Sequence, residues 1–349
     1  MIKDLRTLSH QLANPGFDSP KELFSWMGAI QAQDYNMSKW AIGIRLKSAT
    51  IETVNRALRQ GEILRTHIMR PTGHNVAAED IRWMLKLSAS RIRSANDSYA
   101  KGRDLEITEQ TYTKAHRLLE KILEGNKSLT KQEIEQEFSK AGLPADDHRM
   151  TRFMLHAETE GIVCSGQDKG NKPTYALLEE RVPPVKELHK EEALAKLATS
   201  YFRSHSPASL EDFTWWSGLS ISEARQAVGL IRPDLFTDKS LPETLFIHKS
   251  ANIDTKADNI LHFLPSFDEY LISYKDRTAV LDPEHSPKAF NRFGTFYPVI
   301  MHEGKIAGNW NKSVKKTSIN IETSFFNTKS IDKKLIEAAG NKYKEFMGV

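Results

Sequence analysis

The sequence predicts a mainly helical α+β protein, built of tandem winged-helix modules and closed by a β-rich C-terminal domain. Two observations predict it. A run of three helices followed by a β-hairpin recurs, first within residues 1–103, again within 104–182 and more weakly within 183–255. Beyond residue 255 the helical period gives way to strand-like runs, so 256–349 is expected to form the β-rich domain. A chain of 349 residues is too long for one ordinary core, in keeping with several modules.

In the first copy, helices are predicted over about 19–30, 38–47 and 50–60. Ser19 can cap, Pro20 suits the first turn, Leu23, Phe24 and Met27 form an apolar stripe, and Ser38 can cap the second helix. The segment GEILRTHIMRPTGHNVAAED then predicts a strand, a turn at Arg70 to Gly73, a return strand and a helix from about Ala78. The second copy is plainer. TEQTYTKAHRLLEKILEG is amphipathic and stops at Gly125, SLTKQEIEQEFSKAGL starts at a Thr130 cap and stops at Gly142, and DDHRMTRFMLHAETEG supplies the third helix. GIVCSGQDKGNKPTYALL is its hairpin, with Gly166, Gly170 and Pro173 in the loop. Pro183-Pro184 marks a linker, after which KEEALAKLATSYFRSHSP, SLEDFTWWSGLS and SISEARQAVGL lead to a hairpin over 235–249. In the last quarter, TFYPVIMHEGKIAGNW reads as two strands about a Glu303-Gly304 turn, SVKKTSINIETSFF as further strand, and about Ser330 to Phe346 as a terminal helix.

Composition narrows the function classes. With 39% hydrophobic and 27% charged residues the chain resembles a soluble globular protein, and it has no run of 18 apolar residues and no signal-peptide core, so a cytoplasmic protein without a membrane partner is expected. The single Cys164 excludes an internal disulfide framework and reads as a core residue. The twelve histidines are scattered without zinc-ligand spacing and no phosphate-binding glycine loop occurs, so no metal and no cofactor is expected. The net charge of +4 is uneven: residues 1–103 hold 16 Lys/Arg against 9 Asp/Glu. Arginines 56, 59, 65, 70, 82, 91 and 93 recur among apolar residues there, as on a folded face that meets a polyanion, although a solvated basic face accounts for charge alone equally well. Winged helices place a helix in the major groove and a wing on the backbone or minor groove, so three copies with a basic first one point to double-stranded DNA.

The stretch AIQAQDYNMSKW carries the candidate chemistry. Gln31 and Gln33, two apart, would point about 200° apart on a regular helix, so the helix must break there if they act together. Amides satisfying backbone groups at an interhelical corner are the competing reading.

LGALQAQ-like text at a helix end, LRTHIMRPTGH with AAEDIRWML, TYALLEERVPP, YFRSHSPASLEDFTWWSGL, LPSFDEYLISYKDR and GKIAGNW resemble, in this order and over nearly the whole chain, the AlkZ/YcaQ-type winged-helix DNA glycosylases. The resemblance implies three tandem winged helices and a C-terminal β-domain forming a DNA channel. It also implies a bacterial, nucleoid-associated enzyme that removes cationic alkylated purines and in some members unhooks interstrand crosslinks. The family's Gln-x-Gln motif falls on Gln31 and Gln33, as in the AlkZ branch. Asp34 is a further candidate base. Arg45, Arg56, Arg59, Arg65, Arg70, Thr72 and His74 are the candidate DNA contacts, and a monomer is expected. Where many relatives carry an aromatic in the first hairpin, this chain has Gly73, which leaves lesion range open.

A winged-helix regulator is the alternative; it would be expected to dimerise and carry an effector pocket, whereas the double glutamine favours an enzyme. Asp268 and Glu269 could form a carboxylate pair as in glycoside hydrolysis, but adjacent residues of a strand point to opposite faces, so ion pairing with Arg277 or Lys275 is the stronger expectation. Trp215 and Trp216 are expected in the core, and His67 and His74 either flank a DNA-touching hairpin or form an ordinary polar face.

Overall fold

The computed structural model describes residues 1–238, 245–251, 258–315, 318–327 and 331–349. It is a mixed α+β chain that divides into two compact units, one of residues 1–55 with 194–349 and one of 56–193. In chain order the first elements are α1 (Ile2–Ser9), α2 (Pro20–Met27), β1 (Ala29–Gln31), α3 (Tyr35–Gly43) and α4 (Ile51–Gln60). Ser19 and Glu22 form a reciprocal capping box ahead of Pro20. Gly28 at φ 78° ends α2 earlier than the expected residue 30 and lets the chain turn extended. The cap of α3 is Asp34, whose carboxylate accepts from the Met37 amide, so the helix opens before the expected Ser38. Ser38 lies within the first turns instead, donating to the Tyr35 carbonyl.

In the unit of residues 56–193, β2 (Ile63–Ile68) and β3 (Thr72–Ala77) pair antiparallel, from Ile63 opposite Ala77 to Ile68 opposite Thr72. Met69 at φ 60° starts the turn one residue before the expected one. After α5 (Ile81–Gly102) come α6 (Glu109–Leu123), β4 (Leu129–Thr130), α7 (Lys131–Lys140), α8 (Asp147–Thr159), β5 (Val163–Ser165), β6 (Thr174–Leu177) and α9 (Leu178–Arg181). Thr108, Thr130 and Asp146 cap α6, α7 and α8 with their side chains. Tyr112, Leu119, Leu123, Ile134, Phe138, Met150, Phe153 and Val163 interlock as the core of these elements. The amphipathic period read from the sequence thus packs three helices under a hairpin whose register places Cys164 opposite Ala176. Cys164 is fully buried and burial pushes its thiol up to about 12, so it fills space instead of reacting.

The other unit continues with α10 (Lys190–His205), α11 (Leu210–Ser217), α12 (Ile221–Leu230), β7 (Leu235–Thr237) and β8 (Phe246–His248). The last two pair as a hairpin, of which residues 239–244 lie outside the described residues, as does the expected module boundary at 255. Then follow β9 (Leu261–Leu264), α13 (Glu269–Ile272), α14 (Ser286–Ala289), β10 (Val299–His302), β11 (Lys305–Lys315), β12 (Ser318–Phe325) and α15 (Lys333–Met347). The sheet order is β12-β11-β10-β9, antiparallel throughout, and Ser330, the expected start of α15, lies outside the described residues. Trp40 of α3 packs edge-on against Tyr343 of α15, which likewise meets Trp310 of β11, so three aromatics tie α3 to the sheet and the last helix. Trp216 is fully buried as expected. Trp215 is 41% exposed, because the two neighbours on a helix face different ways.

Candidate active site

The Gln31–Asp34 segment joins β1 to α3, and this break resolves the helical phase problem: extended and bent backbone frees the two amides from α-helical spacing. Gln31 is buried and Gln33 is exposed. Gln33 lies at a bend and its side chain makes no hydrogen bond among the described residues. Asp34 is committed at both oxygens: Oδ1 accepts from the Met37 amide at 3.1 Å and Oδ2 from the Ser266 hydroxyl at 2.9 Å. Its placement is that of a helix cap, not of a free base.

The turn 266–269 holds this segment from below. Glu269 is fully buried, and its Oε1 accepts the Gln31 backbone N–H at 2.6 Å. Its Oε2 accepts from Trp216 Nε1 at 3.1 Å and from the Ser273 hydroxyl, with His205 Nε2 at 3.8 Å. Asp268 caps α13 and forms a two-pronged ion pair with Arg45 at 2.7 and 2.9 Å, both side chains being buried. The expected strand placement of Asp268 and Glu269, and their pairing with Arg277 or Lys275, are corrected here: the two residues start a helical turn and take partners distant in sequence. Between them and Ser266, Phe267 sits at φ 55°, a conformation that costs a bulky residue about 1–2 kcal/mol. The turn is approached from β9, whose Phe263 and Leu264 carbonyls accept the indole N–H groups of Trp40 and Trp310 at 2.7 Å each.

Burial also sets charge states around the segment. His10 and His205 lie within 4.5 Å of one another, and both are driven below the ordinary histidine value chiefly by burial, so they sit neutral in the core. Lys312 of β11 donates to Tyr343 Oη at 2.5 Å and lies 3.0 Å from Met37 Sδ. Burial lowers its ammonium while the charge of Asp34 opposes that shift. Among the described residues no group of three or more His, Cys, Asp or Glu side chains could hold a metal ion, and no helix is long and apolar enough to cross a membrane.

The candidate DNA contacts separate into two sets. Arg56 and Arg59 are exposed on α4, and Arg65, Arg70 and Thr72 are half-buried on the β2–β3 hairpin. Arg45 and His74 are fully buried: Arg45 pairs with Asp268, and His74 Nδ1 lies 2.8 Å from the Thr72 carbonyl. Neither offers its side chain to a phosphate from that position. Thr66 stands opposite His74 and Gly73 opposite His67, so His67 and His74 point to opposite faces and His67 turns to Glu158. A Cβ on Gly73 would lie 2.7 Å from the Arg65 guanidinium, so the glycine leaves room for that arginine to cross the hairpin. The residues missed in sequence, Ser266 and Glu269, belong to a motif already singled out. An Asp directly ahead of a short apolar helical run was the available signal for a cap and a turn.

A family model described as DNA glycosylase AlkZ-like matches residues 24–346. Among curated proteins, an interstrand DNA cross-link repair glycosylase of Streptomyces sahachiroi is 22% identical over 308 residues, covering 84% of this chain and 82% of its own. Among solved structures, Streptomyces sahachiroi DNA glycosylase AlkZ aligns with a TM-score of 0.77 at 19% identity, over 100% of this chain and 96% of that one, a likeness that shows the fold. The family match spans the Gln31–Asp34 segment, the 266–269 turn and the sheet that carries it. The chain belongs to the AlkZ-like DNA glycosylase family, enzymes of DNA repair that hydrolyse N-glycosidic bonds.

Proposed function

We propose that the protein excises cationic N-alkylated purines, foremost N7-alkylguanine, from duplex DNA as a monomer, with Gln31 and Gln33 as its catalytic residues. The observation that carries this reading is a pair of amides, Gln31 buried and Gln33 exposed, on a braced, non-helical segment, while the neighbouring carboxylate, Asp34, is occupied as a cap. Alkylation at N7 makes the purine a cation. When its bond to C1′ breaks, the bonding electrons neutralise the ring and the base departs without a proton donor. What remains is an oxocarbenium-like sugar and a water that adds to C1′ and releases its proton to solvent. Amide carbonyls meet both demands, as partial negative charges facing the sugar and as acceptors that orient the water.

DNA is held by phosphate contacts in this reading, to which Arg56, Arg59, Arg65 and Arg70 contribute. The modules 1–103, 104–182 and 183–255 act as three winged helices, supported by the three capped helices and hairpin of residues 108–177. The crosslink repair named for the Streptomyces relative extends the proposed substrate range to bulky N7 adducts and interstrand crosslinks. At Gly73 the space a side chain would take is filled by the Arg65 guanidinium, which a Cβ there would meet at 2.7 Å. Duplexes carrying 7-methylguanine and a bulkier N7-alkylguanine are the test: release of both bases is expected, and release of the methylated base alone would confine the enzyme to small lesions.

A further inference from the structure

The two working amides are gripped from opposite ends by one four-residue turn. At one end Ser266 donates to Asp34 Oδ2 at 2.9 Å, and at the other Glu269 Oε1 accepts the Gln31 N–H at 2.6 Å. Arg45 fastens the turn through Asp268, and Phe267 is held at a positive φ between the two grips. A left-handed phenylalanine persists only where its surroundings over-determine it, and such conformations gather where geometry matters. We infer that Ser266 and Glu269 are positioning residues that fix the separation and aim of Gln31 and Gln33. This rests on the reading of those glutamines as the working groups.

The chemistry of Glu269 suits the task. Its carboxylate is acceptor-only and meets three donors, the Gln31 backbone, the Trp216 indole and the Ser273 hydroxyl. A neutral glutamine in its place must turn an N–H₂ toward one of these donors. With the N–H₂ on the Oε1 side, the Gln31 N–H loses its acceptor and faces a donor, and the strand carrying Gln31 shifts; on the Oε2 side, the Trp216 indole loses its acceptor and the side chain that braces Gln31 is displaced. A displacement of about 1 Å at a reacting centre can cost about 10²-fold in rate. Ser266 acts at the far end by holding Asp34, whose cap fixes where α3 begins and therefore where the bend at Gln33 lies.

The test uses the full chain with Glu269→Gln, Ser266→Ala, Gln31→Ala and the double variant Glu269→Gln/Gln31→Ala. Single-turnover excision of 7-methylguanine, duplex affinity and thermal melting are measured on each. Glu269→Gln is expected to slow excision about 10²-fold at saturating enzyme with duplex affinity within a few fold, and the double variant is expected to be no slower than Gln31→Ala. Ser266→Ala, a milder change at a half-buried position, is expected to slow excision about 10-fold at an unchanged melting temperature, the scale typical of partners that orient working groups. The inference is overturned if Glu269→Gln and Ser266→Ala excise at the wild-type rate while Gln31→Ala does not. It is also overturned if the Glu269→Gln loss multiplies onto that of Gln31→Ala, which marks a general structural role. Wild-type excision by Gln31→Ala instead removes the reading of the glutamines themselves.

Discussion

Gln31→Ala and Gln33→Ala are each expected to slow single-turnover excision of an N7-alkylguanine by about 10²-fold or more while duplex affinity stays within a few fold. The split follows from where each group acts. Steadying the sugar cation and placing the water are interactions of the transition state, so their loss falls on the chemical step. Loss of one preorganised polar group costs about 10²–10³-fold in comparable sites. In the proposed reading, ground-state binding rests on phosphate contacts spread over the basic first third, none of which these substitutions touch. The two residues differ in what else they do. Gln33 is exposed and without an internal hydrogen bond among the described residues, so its alanine variant is expected to melt with the wild type. Gln31 is only 4% exposed, and its alanine variant is expected to melt somewhat lower. Equal loss of affinity and rate in Gln33→Ala would mark it as a binding contact.

The largest effect on stability is expected at the Arg45–Asp268 pair. Both side chains are buried, with Arg45 Nη1 also donating to the Ala41 carbonyl, so removing one partner strands a charge in the core. Breaking a buried pair in this way costs about 3–5 kcal/mol, whereas replacing both partners by apolar residues of similar volume is often nearly neutral. Asp268→Ala is therefore expected to lower the melting temperature strongly, and Arg45→Met/Asp268→Leu to recover much of the loss. Excision is not expected to recover with it, because Asp268 also caps α13 beside Glu269. Recovery of both together would mean that the pair matters to stability alone.

Local rules carried far along this chain. Capping residues, stop glycines and the 3.6-residue period located the helices of residues 108–159, and the family motif singled out the two glutamines. The differences from the sequence reading share one physical origin. Arg45 and His74 read as surface groups because their chemistry is polar, yet each is buried against a partner that supplies the missing interaction. The Arg45–Asp268 contact spans 223 residues and the Gln31–Glu269 contact 238, separations over which no spacing rule operates. Asp34 shows the intermediate case: Asp is a favoured cap, and that signal lay in the sequence beside its reading as a candidate base.

In the proposed mechanism, uncharged amides suffice because the leaving base already carries a positive charge. Single-turnover rates of the wild-type enzyme on matched duplexes test this most directly, one containing 7-methylguanine and others containing the uncharged lesions hypoxanthine and uracil. Release of 7-methylguanine alone is expected, at a rate independent of pH between about 6 and 9, since glutamine does not titrate there. Efficient release of hypoxanthine or uracil, or a rate that follows the ionisation of an acid or base, would contradict it.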